Sequence, residues 1–252
     1  MLRINRPICA TFVFACWVSP LCAGQWGIQT VASQGDVGWG SSIAIAPDGN
    51  PRISFYDRTA QSVKYAAWDG SAWNIETVAS VGVWGSHGQQ FSTSLVLDAE
   101  GNPKIAFENG YVSVKYAEKT VSGWDIQSVE NGSYPSLQLD DQGRPVIGYA
   151  YTYSVDQVLK LATWNGSTWN KQVVDPSPAI AYGLTVKLDP LGNPCISYRD
   201  GRQQQLKYAQ WNGAAWDIQV VDTDGDVGMH QAMALAPDGS PRIVYSDNTN
   251  PG

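Results

Sequence analysis

Residues 42–78 read SIAIAPDGNPRISFYDRTAQSVKYAAWDGSAWNIETV, and the reading of this stretch decides the fold. It parses into four short strand signals. Ile43 and Ile45 run into the turn Pro47-Asp48-Gly49-Asn50. Ile53 and Phe55 lie two apart in the second run, Val63 and Tyr65 in the third, and residues 73–78 make the fourth. A spacing of two puts those apolar side chains on one face of a pleated strand. Proline presets φ and glycine supplies φ > 0, so Pro-Asp-Gly between two such runs closes a hairpin, and Asp69-Gly70 marks a second turn.

The same pattern recurs to the end of the chain. The turn glycine returns as Gly49, Gly101, Gly143, Gly192 and Gly239, at intervals of 52, 42, 49 and 47 residues. The second-strand pair is Ile53/Phe55, Ile105/Phe107, Ile147/Tyr149, Ile196/Tyr198 and Ile243/Tyr245. A lysine column runs Lys64, Lys115, Lys160 and Lys207, and a tryptophan column Trp73, Trp124, Trp169 and Trp216. A period of this size with four strands per unit is the signature of propeller blades. The expected fold is all-β: a β-propeller of four-stranded antiparallel blades, with repeats over about 42–80, 94–130, 136–175 and 185–222 and a partial repeat over 232–252. Residues 24–33 copy a fourth strand. Placing them in the last unit predicts five blades, the fifth three-stranded because no third strand signal follows Asp247. The alternative is a larger ring of which this sequence is the N-terminal part. The two ends are kin in another way, since Gly35-Asp36-Val37-Gly38 returns as Gly225-Asp226-Val227-Gly228.

Residues 1–23 stand outside the repeat. Arg3 and Arg6 precede an apolar run over residues 8–17, and the segment ends in Leu21-Cys22-Ala23-Gly24. That is the pattern of a secretory signal peptide, which predicts a secreted or periplasmic propeller over residues 24–252. The run falls short of the ~20 residues a membrane span needs, and no later stretch is longer. Without the leader only Cys195 remains; a lone cysteine on an apolar strand reads as a small core residue. Removing Arg3 and Arg6 takes the formal charge from −7 to −9. An acidic chain with no basic run is a poor partner for nucleic acid or an anionic membrane.

Strand alternation places the fourth-to-first and second-to-third connections on one face and the Asp-Gly turns on the other. The first set is longer and richer in aromatics. Trp39, Tyr134, Tyr182 and His230 lie just before first strands, and Trp84 and His87 in the longest loop. Asp57, Asp200 and Asp247 end second strands, with Glu108 and Arg199 one position earlier in their units. Aromatic rings beside carboxylates and guanidinium suit a sugar, whose apolar face stacks while its hydroxyls are hydrogen-bonded. The candidate ligand-binding set is therefore Trp39, Trp84, His87, Tyr134, Tyr182, His230 and Arg199, and the expected partner a glycan or glycoconjugate. The recurring tryptophans and lysines read as structural.

Glycoside hydrolysis needs two placed carboxylates, and Asp57, Glu108, Asp200 and Asp247 are the candidates near one mouth. Three of the four hold equivalent repeat positions, which points to a shared structural role. Asp222, Asp224 and Asp226 alternate as in a hard-cation loop, which would take calcium, but an acidic turn is the commoner reading of such a run and no cofactor is expected. Three function classes follow: a propeller that binds carbohydrate without catalysis, a glycoside hydrolase or lyase using the acidic mouth, and a protein-interaction scaffold.

The unit resembles the secreted β-propeller repeats of sialidase-type Asp-box proteins and of propeller lectins. The Asp-box carries Ser-x-Asp-x-Gly-x-x-Trp at the third turn. Here Trp68-Asp69-Gly70-Ser71-Ala72-Trp73 keeps Gly-x-x-Trp but sets the aspartate next to the glycine, and Trp211-Asn212-Gly213-Ala214-Ala215-Trp216 has asparagine there. The resemblance implies a propeller and no transferable catalytic residue.

Overall fold

The structure is a computed structural model that describes residues 2–7, 26–81, 92–110, 113–153, 156–176 and 180–249. All its regular elements are strands. A hairpin pairs β1 (Leu2–Pro7) with β2 (Trp26–Ala32), so the start of the segment read as a leader outside the fold supplies a strand to it. Four antiparallel four-stranded sheets follow. Blade 1 is β3 (Val37–Ile45), β4 (Pro51–Asp57), β5 (Ser62–Trp68) and β6 (Trp73–Ser80). Blade 2 is β7 (Thr93–Leu97), β8 (Pro103–Glu108), β9 (Ser113–Thr120) and β10 (Gly123–Asn131). Blade 3 is β11 (Ser133–Leu139), β12 (Pro145–Tyr153), β13 (Asp156–Trp164) and β14 (Trp169–Asp175). Blade 4 is β15 (Ile180–Leu188), β16 (Pro194–Asp200), β17 (Gln205–Trp211) and β18 (Trp216–Asp222). A last two-stranded sheet is β19 (Val227–Leu235) with β20 (Pro241–Asp247).

The turns form as their residues dictate. Gly49 sits at φ 78° and Gly70 at 101°, and Asp48 and Asp69 each accept the N–H two residues on, at 2.8 Å. Asn165 and Asn212 cap the later copies of the second turn in the same way, so the Asp-box likeness reduces here to turn chemistry.

The core lies between sheets. Tyr56, Val63, Tyr65 and Val78 of blade 1 pack on Leu95, Ile105 and Phe107 of blade 2, and the later junctions repeat this. The second strands β4, β8 and β16 are buried on both faces because a sheet lies on either side. Each tryptophan of the column packs across its turn on Trp68, Trp164 or Trp211, or edge-on against Tyr65 or Tyr116 of the preceding blade. A hydroxyl device joins successive inner strands. Ser42, Ser94 and Ser136 Oγ accept the backbone N–H of Leu95, Leu137 and Val186 in the next blade, at 2.9–3.0 Å. Gly148 completes one junction, since a Cβ there would stand 2.3 Å from Val186 Cγ2. Cys195 is a free, fully buried thiol.

The lysine column takes two forms. Lys160 Nζ bonds Glu130 Oε2 at 3.0 Å, which Tyr149 Oη also reaches at 2.6 Å. Lys207 bonds Asp200 at 2.7 Å and Asp175 at 3.4 Å, with Tyr198 Oη on Asp175 at 2.6 Å. The acid shared with the tyrosine, Glu130 or Asp175, comes in each case from the blade before, whereas Asp200 belongs to the blade of Lys207 itself. Where that blade offers Ala32 or Ala79, the next second strand carries Phe55 or Phe107. Its lysine then turns to a hydroxyl of its own fourth strand, Lys64 to Thr77 and Lys115 to Ser128.

The predicted closure does not occur. Among the described residues β2 pairs only with β1 and β20 only with β19, so the fifth blade is a two-stranded inner half and the array stays open. Two causes are visible. The edge of β2 is taken by β1, in the bulged register that third and fourth strands use elsewhere. The outward face of β19–β20 also lacks junction residues. It has Ala232 where Ser42 offers a hydroxyl, and Val244 where the junctions use Ser54, Ala106, Gly148 and Ser197.

Candidate functional site

Where they are described, connections predicted to share a face meet one another. Residue 36, in the loop before β3, is tied to the turn after β4: Arg58 N donates to Asp36 O at 2.9 Å and Asp36 N to Thr59 Oγ1 at 2.8 Å. This brings three side chains together. Trp39 Nε1 donates to Asp36 Oδ1 at 2.7 Å, Arg58 reaches Asp36 Oδ2 at 3.3 Å, and the guanidinium lies 5.8 Å from the indole centroid. Trp39 is 44% exposed, so the indole is held by its polar edge while much of its surface faces solvent. Sequence reasoning named Trp39 and missed Asp36 and Arg58. The signal was the Gly-Asp-Val-Gly loop, because its second copy is built alike: Asn248 N donates to Asp226 O and Asp226 N to Thr249 Oγ1, both at 2.9 Å. There Met229 and Asn248 replace the indole and the guanidinium.

First strands enter the mouth through a bulge whose residue has positive φ. Gly40 and Gly183 fill it in blades 1 and 4, but Tyr134 (φ 55°) fills it in blade 3 and His230 (φ 48°) in β19. A side chain in that conformation is uncommon and concentrates at functional positions. His230 is exposed. Tyr134 is half-buried, and its N–H donates to Glu108 Oε1, which Ser92 Oγ reaches at 3.1 Å. Burial pushes the Glu108 carboxyl up to about 7, against the opposing pull of those two hydrogen bonds.

The other candidates part company. Arg199 is buried and its guanidinium engages the partly exposed Asp226, so Arg199 is not presented to a ligand. Asp57, Asp200 and Asp247 each accept turn N–H groups, from Ala60, from Arg202 and Gln203, and from Thr249. Their shared position is a turn device, and no shared space for a second carboxylate beside Glu108 follows from it. Two aspartates of the 222–226 run are engaged by other side chains. Asp222 takes Tyr245 Oη, Asp226 takes Arg199, and among the described residues no three His, Cys, Asp or Glu side chains gather around a common point. Trp84, His87 and the side chain of Tyr182 lie outside the described residues.

No protein-family profile matches the sequence, and no curated protein matches it. Solved structures do. A triple arginine-to-alanine mutant of AofleA from Arthrobotrys oligospora superposes with a TM-score of 0.60 at 15% identity, over 90% of this chain and 72% of that one. The fungal lectin of Aleuria aurantia, described as a six-bladed β-propeller with a novel fucose recognition mode, gives 0.56 at 15%, over 90% and 85%. An α-L-arabinofuranosidase from Lactobacillus brevis gives 0.53 at 13%, over 82% of each chain. At these identities the likeness establishes the fold, a β-propeller built of four-stranded blades.

Proposed function

We propose that this chain is an exported propeller that binds carbohydrate through the mouth carrying Trp39, and does so without catalysis. The observation that carries the reading is the exposed indole fixed by Asp36 beside the Arg58 guanidinium. An aromatic surface for the apolar face of a sugar, with a hydrogen-bond donor at its rim, is what a small polar ring needs. Asp36 is committed to holding the other two, so the site offers mainly donors, which suits hydroxyl and ring oxygens. Kinship of fold with fucose-binding lectins supports the class of ligand. Export rests on the leader pattern of residues 1–23, of which residues 2–7 pair with β2 as long as the leader is attached, and it predicts a ligand met in the periplasm or outside the cell. A glycan array is the test. Trp39→Ala should weaken binding by at least about tenfold while leaving the melting temperature in place, because an exposed ring contributes little to the core. Arrays that stay silent, or binding indifferent to Trp39, would defeat the proposal.

One observation favours a second reading. Glu108, buried and titrating near 7, has the protonation behaviour of a general acid. Turnover of chromogenic glycosides that disappears in Glu108→Gln would establish hydrolysis in place of simple binding.

A further inference from the structure

Four positions make the lysine circuit of blade 4: Asp175 at the end of β14, Tyr198 and Asp200 on β16, and Lys207 on β17. In blade 1 the same four positions hold Ala32, Phe55, Asp57 and Lys64. The acid of the preceding strand and the phenol are gone, while the lysine and the strand-end aspartate stay. No neighbouring side chain fills the space. All four residues line a cavity of about 400 Å³ between β2 and blade 1. Val31 and Phe55, both buried, and Ile75, 43% exposed, give it an apolar side.

The two charged groups in this cavity are only partly engaged. Lys64 Nζ donates to Thr77 Oγ1 at 2.8 Å and meets no carboxylate among the described residues, whereas Lys207 holds two. Asp57 Oδ1 accepts the Ala60 N–H at 2.8 Å, and its second oxygen has no partner among the described residues. Asp200 likewise accepts turn N–H groups on one oxygen, but its other oxygen takes Lys207. Blade 2 repeats the substitution with Ala79, Phe107 and Lys115 but has Asn109 in the aspartate's place, so blade 1 alone combines the unpaired cation with a carboxylate.

We infer that this cavity binds a uronate, an acidic sugar ring whose carboxylate pairs with Lys64 in the place that Glu130 and Asp175 fill elsewhere, while a ring hydroxyl donates to Asp57. The cavity lies at the small end of ligand sites, which suits a single ring, and its apolar side meets the ring's C–H groups. Both charges are needed to define the ligand. A neutral sugar leaves the ammonium without an anion, and a simple carboxylic acid leaves the Asp57 oxygen without a donor. A hydrogen bond between ammonium and carboxylate is about twice as strong as a neutral one, so the acid group dominates the choice. The inference is independent of the reading of the Trp39 mouth.

The test is calorimetric titration of the full chain with sodium galacturonate and sodium glucuronate, with galactose, glucose and acetate as comparison compounds. Saturable binding of a uronate is expected, with the neutral sugars and acetate at least about tenfold weaker. Lys64→Gln should weaken uronate binding at least about tenfold. Ala32→Glu should do the same, because the chain then supplies the anion itself. Lys115→Gln should leave binding in place. An unchanged melting temperature verifies the fold of Lys64→Gln, whose side chain lies near solvent. Four results would overturn the inference: no uronate binding, indifference to Lys64→Gln, equal binding of a neutral sugar or acetate, or loss of uronate binding in Trp39→Ala. The last would move the acidic sugar to the mouth and leave the reading of that mouth standing.

Discussion

Glu108 is the residue whose chemistry departs furthest from its surroundings. Its carboxyl is buried at the mouth and titrates near 7 against an ordinary value of 4.5. The folded protein therefore holds the proton more tightly than the unfolded chain. The stabilising contribution is complete below about pH 4.5 and is lost as pH rises through about 7, amounting to about 3 kcal/mol for a shift of this size. Glutamine keeps an oxygen for the Tyr134 N–H and cannot ionise. The stability of Glu108→Gln relative to wild type should accordingly rise between pH 4.5 and 7 and level off above. Urea denaturation at a series of pH values checks this; a flat difference would mean that the carboxyl is solvated. At the mouth, the sequence disclosed Trp39 but not its partners. The bond from Asp36 to the indole spans three residues within one loop, whereas Arg58 arrives from the next turn, and no periodicity encodes a contact between loops.

The lysine column is a property of elements. Lys160 and Lys207 each face an acid brought by the preceding blade, Glu130 and Asp175, with Asp200 of its own blade added for Lys207, while Lys64 and Lys115 face hydroxyls on their own fourth strands. The consequences of removing them differ. Lys207→Gln strands Asp175 and Asp200 in a buried site and should cost about 3–5 kcal/mol. Lys64→Gln loses one hydrogen bond near solvent and should cost less than about 1 kcal/mol. Denaturant midpoints of the two variants give the comparison directly. This division was written in the sequence. Ala32 and Ala79 accompany Phe55 and Phe107, whereas Glu130, Asp175 and Asp222 accompany Tyr149, Tyr198 and Tyr245. Reading it required comparing the end of one repeat with the middle of the next. The three aspartates of residues 222–226 show the opposite limit. Their spacing was plain, but their partners, Tyr245 and Arg199, come from other strands, and those partners decide where the carboxylates point.

For the whole molecule, strand order, turn positions and blade periodicity were legible because each rests on local rules: alternation, φ > 0 at glycine, and recurrence. Closure was not, because it depends on which edges and faces are left available. The first-strand position held by Leu95, Leu137, Val186 and Met233 is at most 5% exposed, whereas Ile43 at the same position is 55% exposed. Truncation should expose the difference. Leu137→Ala should destabilise by about 2–5 kcal/mol and Ile43→Ala by well under 1 kcal/mol. Equal effects would show that something covers Ile43 in solution.

The acid, tyrosine and lysine arrangement bears on how such a chain can be lengthened or shuffled. Its members straddle the boundary between units, so a blade is not an interchangeable part. A second copy of residues 133–175 inserted after Asp175 would present Tyr149 and Lys160 to that aspartate and keep the circuit intact. Residues 37–80 inserted at the same point would present Phe55, and the aspartate would lose its phenol donor. Chimeras built from this array should tolerate junctions between units of one wiring and resist those that mix the two.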